Sequence, residues 1–216
     1  MSCSVFFKTG KDQYGEGDVF YGLSVPQSRK LAKKYAYLAF KEIALYLKSD
    51  IHEERLIGLF ILTEQFKSAD DKSKAKIFNF LLKNIKRINN WDLVDQVAPS
   101  IFGPYLYDKD RSLLYDLVHS KNLWERRIAI MSTFYFLRQQ DFKDTLKIAK
   151  LLLHDEHDLI HKAVGWMLRE IGNRDVKVEM KFLDQHASKM PRTMLRYAIE
   201  KFPAKQREHY LKLKIR

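Results

Sequence analysis

The sequence predicts an all-α protein built from repeated pairs of helices. Apolar residues recur at spacings of three and four along most of the chain, which is typical of helices with one buried face. Alternation of apolar and polar residues, the pattern of a half-buried strand, is scarce. Of the 216 residues, 46% are hydrophobic and 31% are charged. This composition is typical of a globular protein and not of a disordered one.

A weak internal repeat supports this fold class. Arg55, Arg126 and Lys162 are each followed three positions later by a small residue inside an apolar stretch. Asp92 fits the same register, which gives intervals of 34 to 37 residues, and Arg192 fits 30 residues after Lys162. This period is expected of two-helix, HEAT-like repeats, in which small residues let neighbouring helices pack closely. Such a solenoid is expected to be curved, with a basic concave face shaped to hold a DNA duplex by its phosphates.

The individual helices follow from the periodicity and from its interruptions. Residues 1–25 contain several glycines and are expected to form an irregular segment, after which Pro26 suits the first turn of a helix. Pro99 and the stretch 102–104 are expected to interrupt the array. Residues 1–216 are treated as a single HEAT-like domain. A helix is predicted over residues 26–34, and a second one follows it and ends at about residue 47. Further helices are predicted over residues 55–66, 72–86, 91–98, 111–118, 124–138, 141–153, 159–172, 176–189, 191–202 and 204–213.

The charge of the chain indicates a polyanionic partner. Lys and Arg number 39 against 27 Asp and Glu, a formal net charge of +12 that favours DNA, RNA or an acidic membrane surface. Residues 201–216 hold only part of this excess. The single cysteine, Cys3, excludes an internal disulfide, and no apolar run approaches the length of a membrane span. We therefore expect a cytoplasmic protein, associated with the nucleoid through DNA binding.

The strongest local feature is the stretch from Asn89 to Asp95. Trp91 and Asp95 are four positions apart, so that in a helix they share one face. Asp92 stands next to the expected helix start, where it could act as a cap. The same pattern is also compatible with a capped helix that buries Trp91 in the core.

Two adjacent arginines form a second feature. Arg126 and Arg127 follow Trp124 and cannot share one helix face. One of them could pair with Glu125 or Asp95, and the other could face solvent or a phosphate, for which the guanidinium is well suited. Two solvated arginines beside a structural Trp124 are the alternative.

A third feature is Trp166, which follows Gly165 inside a predicted helix. The glycine would leave room beside the indole for a partner or ligand. Core packing is the default interpretation for a Trp in an apolar helix.

Three histidines lie among acidic residues, a composition that would suit metal ligands. The spacing of His154, His157 and His161 is not that of the zincins, and the first two are expected in a loop. Asp155 and Asp158 are explained as helix caps. No metal site is therefore predicted.

A single carboxylate beside aromatic rings limits the possible chemistry. Phosphate-binding loops, a dinucleotide fingerprint and a nucleophile elbow are absent from the sequence. An ionised Asp95 beside Trp91 and Trp166 could stabilise a transient cation, such as the oxocarbenium-like state of glycosidic cleavage. A second carboxyl group normally protonates the leaving group. One carboxylate suffices only when the leaving group is already cationic, as in a 7-methylguanine.

The sequence resembles the AlkD branch of the AlkC/AlkD family of DNA alkylation repair glycosylases. The resemblance covers nearly the whole chain, and its last three stretches, in this order and spacing, are specific. It is found at residues 21–26 with Arg29 and Lys30, 90–95, 124–129, 162–170 and 190–193.

The resemblance implies a function and a set of site residues. It implies a monofunctional glycosylase that releases cationic N3- and N7-alkylpurines, such as 3-methyladenine and 7-methylguanine, from duplex DNA in base excision repair. Asp95 would stabilise the oxocarbenium sugar and position water, Trp91 and Trp166 would pack against the lesion's deoxyribose, and Arg127 would hold a phosphate near the lesion. The lesion would stay stacked, and no metal or organic cofactor and no membrane would be involved. A monomer is expected.

Two other classes of function remain open from the sequence. A non-catalytic HEAT-like protein that recognises damaged or branched DNA would keep the basic face and would not depend on Asp95. A protein-binding scaffold would present an apolar groove and show weak salt dependence, which the net charge of +12 disfavours.

Overall fold

The structure is a computed structural model, and it describes residues 7–213. Cys3 and residues 214–216 of the basic C-terminal stretch lie outside the described residues. The described part is nearly all helical and contains no β-strand, only an isolated parallel bridge between Val19 and Ile51. This confirms the all-α, helical-repeat class predicted from the sequence. In the described range, no helix combines the length and the apolar character that a membrane span requires.

The chain packs as two compact units, the first ending at Ile101 and the second beginning at Phe102. The single-domain organisation stays a prediction. The helices of the first unit are α1 (Val25–Lys34), α2 (Phe40–Lys48), α3 (His52–Ser68), α4 (Asp71–Lys83) and α5 (Trp91–Val97). Those of the second are α6 (Gly103–Leu106), α7 (Ser112–Val118), α8 (Leu123–Arg138), α9 (Lys143–Leu151), α10 (Asp158–Gly172), α11 (Val176–His186), α12 (Arg192–Ala198) and α13 (Ala204–Lys212).

Helix α3 is the centre of the first unit, because α1, α2, α4 and α5 all pack against it. Its residues 56–63 are all buried, so that this helix has apolar contacts on every side. In the second unit, α8 and α10 have the same role: α8 packs against α6, α7, α9 and α10, and α10 also packs against α11 and α12. The candidate functional residues lie on α5, α8 and α10.

Two glycines of the predicted repeat lie where helices meet closely. A Cβ on Gly58 would come within 3.1 Å of the Tyr46 Cβ on α2. A Cβ on Gly165 would lie only 2.4 Å from the carbonyl oxygen of Met194 and 2.5 Å from the Tyr197 Cβ, both on α12. The small residues of the repeat therefore allow close packing, as predicted. The expected room for a ligand beside Gly165 was a wrong inference, because α12 fills it.

The α-helix ends at Val97, close to the predicted interruption at Pro99, but the chain does not leave the helical path there. Helix α5 continues into a π-helix over Ala98–Phe102 and then into α6. A proline lacks the N–H that an α-helix interior needs, but it is tolerated in a first turn, and Pro104 lies in the first turn of α6. The wider π register accommodates Pro99 between the two α-helical segments.

Candidate functional site

Helix α5 carries Trp91 and Asp95 on one face, both partly exposed. The helix begins where the extended backbone of Asn90 turns, and the Asn90 Oδ1 accepts the Trp91 N–H at 2.8 Å. Asn90 is therefore the cap, and not Asp92 as considered from the sequence. Asp92, in the first turn of the same helix, makes a second contact that holds this turn in place, with the buried His52.

A buried histidine joins Asp92 to the segment that precedes α1. His52, at the start of α3, is 2% exposed. Its Nε2 lies 2.7 Å from the Asp92 Oδ2, and its Nδ1 lies 3.2 Å from the Asp18 Oδ2. One imidazole thus bridges two carboxylates from different parts of the chain.

Asp18 is also bound by two further side chains. The Asn90 Nδ2 donates to its Oδ2 at 2.9 Å, and Arg55 on α3 forms an ion pair with its Oδ1. Arg55 also donates to the carbonyl of Ser49 at 2.9 Å. Asp18, His52, Arg55, Asn90 and Asp92 form what we call the polar cluster.

The charges of the polar cluster determine the protonation of His52. Burial opposes the charged imidazolium, but the hydrogen bonds to Asp18 and Asp92 outweigh it and raise the pKa of His52 to about 9. Burial also acts against the ionised Asp18, yet the hydrogen bond from His52 and the charge of Arg55 lower the pKa of this carboxyl. The imidazolium therefore lies between two carboxylates at neutral pH.

Glu53 ties the chain before α1 to α3 in a second way. Glu53 is 3% exposed, and its carboxylate accepts the backbone N–H groups of Tyr21, Gly22 and Leu23 at 3.1, 2.7 and 3.1 Å. Gly22 has φ of +85°, a conformation that favours glycine and lets the consecutive N–H groups converge. The segment before α1 is therefore attached to α3 at two points, through the side chain of Asp18 and through the backbone of residues 21–23.

An aromatic stack covers the polar cluster. The Phe7 ring stacks on Trp91 with centroids 5.5 Å apart, and on Phe20 at 5.0 Å. Phe20 in turn stacks on the His52 ring at 4.9 Å. One face of the Trp91 indole is therefore occupied by Phe7.

Arg127, on α8 in the second unit, is enclosed and not extended into solvent. It is 5% exposed, and its Nη1 donates to the carbonyl oxygen of Leu159 at 2.5 Å. The neighbouring Arg126 pairs with Asp155, with Nε 2.6 Å from Oδ2. Glu125 accepts a hydrogen bond from Ser120. Arg126 therefore pairs with Asp155 and not with Glu125, one of the two carboxylates that the sequence offered as a partner for either arginine.

Trp166 is half-buried on α10. Its Nε1 donates to the Glu170 Oε1 at 3.3 Å, and its ring lies 5.8 Å from the ring of Phe134 on α8. Arg174 pairs with the same Glu170 at 2.7 Å. The indole thus lies at the junction of α8 and α10, held by both helices.

Two of the three histidines that the sequence suggested as metal ligands, His157 and His161, bond to the protein itself. The His157 Nδ1 accepts the Leu159 N–H at 3.1 Å, so that His157 is the cap of α10 in place of Asp158. The His161 Nε2 lies 2.5 Å from the carbonyl oxygen of Asp155. Within residues 7–213, no group of three or more His, Cys, Asp or Glu side chains is arranged to hold a metal ion.

No sequence motif marks Asp18, His52 or Glu53 as site residues, and Arg55 is marked only as a position of the internal repeat. A signal was present, because three charged residues stand in the first turn of a helix whose following positions are all apolar. A charge at a buried position requires a partner, and each of these residues has one. The partners of these residues could not be predicted from the sequence, because Asp18 lies in an irregular segment 34 positions before His52.

Comparisons with known proteins agree on one family. The family model described as DNA alkylation repair enzyme matches residues 2–202. A solved structure described as a predicted DNA alkylation repair enzyme from Enterococcus faecalis superimposes with a TM-score of 0.73. It shares 16% sequence identity, and the match covers 93% of each chain, so it shows a common fold. No curated protein sequence matches significantly.

Proposed function

The chain belongs to the family of DNA alkylation repair enzymes, whose substrate is DNA, and we propose that it is a monofunctional DNA glycosylase. It hydrolyses the N-glycosidic bond of cationic N3- and N7-alkylpurines in duplex DNA. The lesion remains in the base stack during the reaction. The AlkD branch is the part of the family to which we assign the chain.

The observation that carries this proposal is the pairing of Trp91 and Asp95 on α5. Both side chains are partly exposed on one face, while Asn90 and Asp92 fix the first turn of the helix from the other side. A carboxylate held on a rigid element does not need to reorganise as charge develops in the transition state.

The chemistry follows from the charge of the substrate. An N3- or N7-alkylated purine carries a positive charge and departs as a neutral base, so no general acid is needed. The deoxyribose develops oxocarbenium character, which the Asp95 carboxylate stabilises. The same carboxylate orients the water that attacks the anomeric carbon, and the proton of this water is released to solvent.

The remaining residues bind the substrate. Trp91 and Trp166 present indole faces to the deoxyribose of the lesion, where an aromatic face also favours a developing cation. Arg127 is assigned the phosphate near the lesion, a contact that requires its guanidinium to leave the enclosed position in which it donates to Leu159. These roles rest on the resemblance of the motifs around them.

The test is release of 7-methylguanine from methylated duplex DNA. Wild type, Asp95→Asn and the control Asp116→Asn, which changes an exposed carboxylate on α7, are compared at matched DNA affinity. We expect release by wild type and the control, and a loss of roughly 100-fold or more in Asp95→Asn.

Two outcomes contradict the proposal. Equal release by wild type and Asp95→Asn would remove Asp95 from its role. Binding of DNA without any release would favour a non-catalytic protein that recognises damaged or branched DNA.

A further inference from the structure

Phe7, which opens the described part of the chain, packs directly against the proposed site residue Trp91. The two ring centroids are 5.5 Å apart, and the ring planes are only 19° from parallel. A nearly parallel pair restricts the tilt of both rings, because tilting one of them separates the two faces and loses their contact. The orientation of the Trp91 indole therefore depends on Phe7.

Phe7 is itself held by two further rings. Its centroid lies 5.0 Å from that of Phe20 and 4.7 Å from that of His52. Phe20 also stacks on His52, at 4.9 Å. Since the His52 ring is buried and bridges the carboxylates of Asp18 and Asp92, the stack ends on a side chain that is fixed from two sides.

The backbone at Phe7 is fixed by a close approach of Gly15. The Gly15 N–H donates to the carbonyl oxygen of Lys8 at 3.2 Å. A Cβ on Gly15 would lie 2.4 Å from the carbonyl oxygen of Phe7, so a side chain there would prevent this approach. Further along the same segment, the carbonyl oxygen of Val19 accepts the His52 N–H at 2.8 Å. The position of Phe7 is therefore set by a segment that is attached to α3.

Phe7 supports the indole from the side of the polar cluster. A ring that blocked Trp91 would cover it from the solvent side. Phe7 instead lies against His52, which is 2% exposed. Trp91 remains partly exposed with Phe7 in place, so that part of the indole still reaches solvent.

We propose that Phe7 is a positioning residue, which holds the Trp91 indole at the tilt that contact with the deoxyribose of the lesion requires. The inference rests on the proposed function and assigns no contact with DNA to Phe7 itself. An aromatic face stabilises a cation that lies over it, so the interaction depends on the tilt of the ring. A ring that is already oriented needs no reorganisation as charge develops. Loss of Phe7 should therefore affect the reaction and not the binding of undamaged duplex.

The first test is single-turnover release of 7-methylguanine at saturating protein. We expect the rate constant to fall by roughly 10-fold in Phe7→Ala, because a small misplacement of a contacting group slows a reaction steeply. Phe7→Tyr keeps the ring and should retain the wild-type rate constant. The affinity of both variants for undamaged duplex should equal that of wild type.

Phe40→Ala is the matched control. Phe40 on α2 stacks on Phe80 of α4, with centroids 4.7 Å apart and planes 14° from parallel. The control thus removes one ring of a similar pair in the same unit, from helices that carry none of the proposed site residues. It should retain the wild-type rate constant.

A second measurement separates this proposal from the glycosylase proposal. A duplex with a tetrahydrofuran abasic analogue offers a sugar but no base to release, and the contact with Trp91 should make wild type prefer it to undamaged duplex. Phe7→Ala should lose most of this preference, and Phe40→Ala should keep it. If wild type shows the preference but releases no base, the glycosylase proposal fails, and the affinity ratios still decide the role of Phe7.

The role of Phe7 would be overturned by wild-type values in Phe7→Ala or by an equal decrease in Phe40→Ala. It would also be overturned by a wild type that neither releases 7-methylguanine nor prefers the abasic analogue. A faster reaction in Phe7→Ala would contradict it as well, because the ring would then block the indole.

Discussion

The His52 Nε2 lies 2.7 Å from the Asp92 Oδ2, and this contact joins the first turn of α3 to the first turn of α5. Asp92 stands three positions before Asp95 and one after Trp91. The contact therefore fixes the start of the helix that carries both proposed site residues, although neither His52 nor Asp92 needs to touch DNA.

Asp92→Asn should destabilise the protein. The substitution leaves the buried His52 imidazolium with one anionic partner, and breaking a buried pair costs about 3 kcal/mol. The free energy of unfolding from urea denaturation measures this effect. The exposed Asp116→Asn is the matched control and should change it by less than about 0.5 kcal/mol. Equal stability of the two variants would contradict the structural role of the contact.

The same contact predicts a dependence of stability on alkaline pH. The pKa of His52 rises from 6.5 to about 9 on folding, because Asp18 and Asp92 outweigh its burial. The folded state then holds its proton more tightly, so the contribution is complete below pH 6.5 and is lost as pH rises through about 9.

Urea denaturation at a series of pH values checks this expectation. In Asp92→Asn the decline in stability should be smaller and should end at a lower pH than in wild type. Parallel curves for the two proteins would show that Asp92 does not raise the pKa of His52.

Glu179 on α11 predicts a second pH effect, in a lower range. Its side chain is 1% exposed, and its Oε1 has no hydrogen-bond partner within the described residues. Burial raises the pKa of Glu179 to about 8, and the charge of Arg169 on α10 offsets this only in part. Tyr210 on α13 is the other titratable group whose pKa Glu179 influences.

Stability from Glu179 is therefore complete below pH 4.5 and is lost as pH rises through about 8. Glu179→Gln cannot ionise and should flatten the thermal stability curve between these values. If the thermal stability of Glu179→Gln declined with pH as that of wild type does, a group other than Glu179 would cause the decline. The two ranges overlap between about pH 6.5 and 8, so the Glu179 effect is obtained as the difference between Glu179→Gln and wild type, in which the His52 effect is common to both.

Gly165→Ala should destabilise the second unit. The added methyl would lie 2.4 Å from the Met194 carbonyl oxygen, and backbone atoms cannot rotate away as a side chain can. We expect a cost of about 1–3 kcal/mol, typical of overpacking, in chemical denaturation. Gly58→Ala is the milder comparison and should cost less, because its added Cβ would lie 3.1 Å from the side-chain Cβ of Tyr46. A larger loss in Gly58→Ala than in Gly165→Ala would contradict this account.

The helices were predictable because their apolar spacing is local information. The prediction of a helix over residues 124–138 differs from α8 by one residue at its start. The predictions of helix caps and helix ends failed where contacts with other parts of the chain determine the local structure. The cap of α10 is His157 and not a carboxylate, since Asp155 is engaged by Arg126 from α8. Pro99 and Pro104 predict a break, whereas the chain stays helical through the π-helix Ala98–Phe102, a conformation that leaves no sequence pattern.

The candidate site was predictable only in part, for the same reason. Trp91 and Asp95 follow from a spacing of four within one helix. The polar cluster behind them depends on Asp18, which lies 72 positions before Asn90 in the sequence. No local pattern reports a contact of that separation. The roles of Arg127 and Trp166 remain predictions.

The position of Asp18 has a consequence for the order in which the first unit folds. Its contact with Asn90 closes a loop of 72 residues, and long-range contacts of this kind form late, after local helices. The hydrogen bonds of the seven-residue α5 are local, but a helix this short is marginal alone, and its first turn acquires its final position only when the segment before α1 has docked. A chain shortened to begin at α1 would keep every proposed catalytic residue and would still be expected to lose activity.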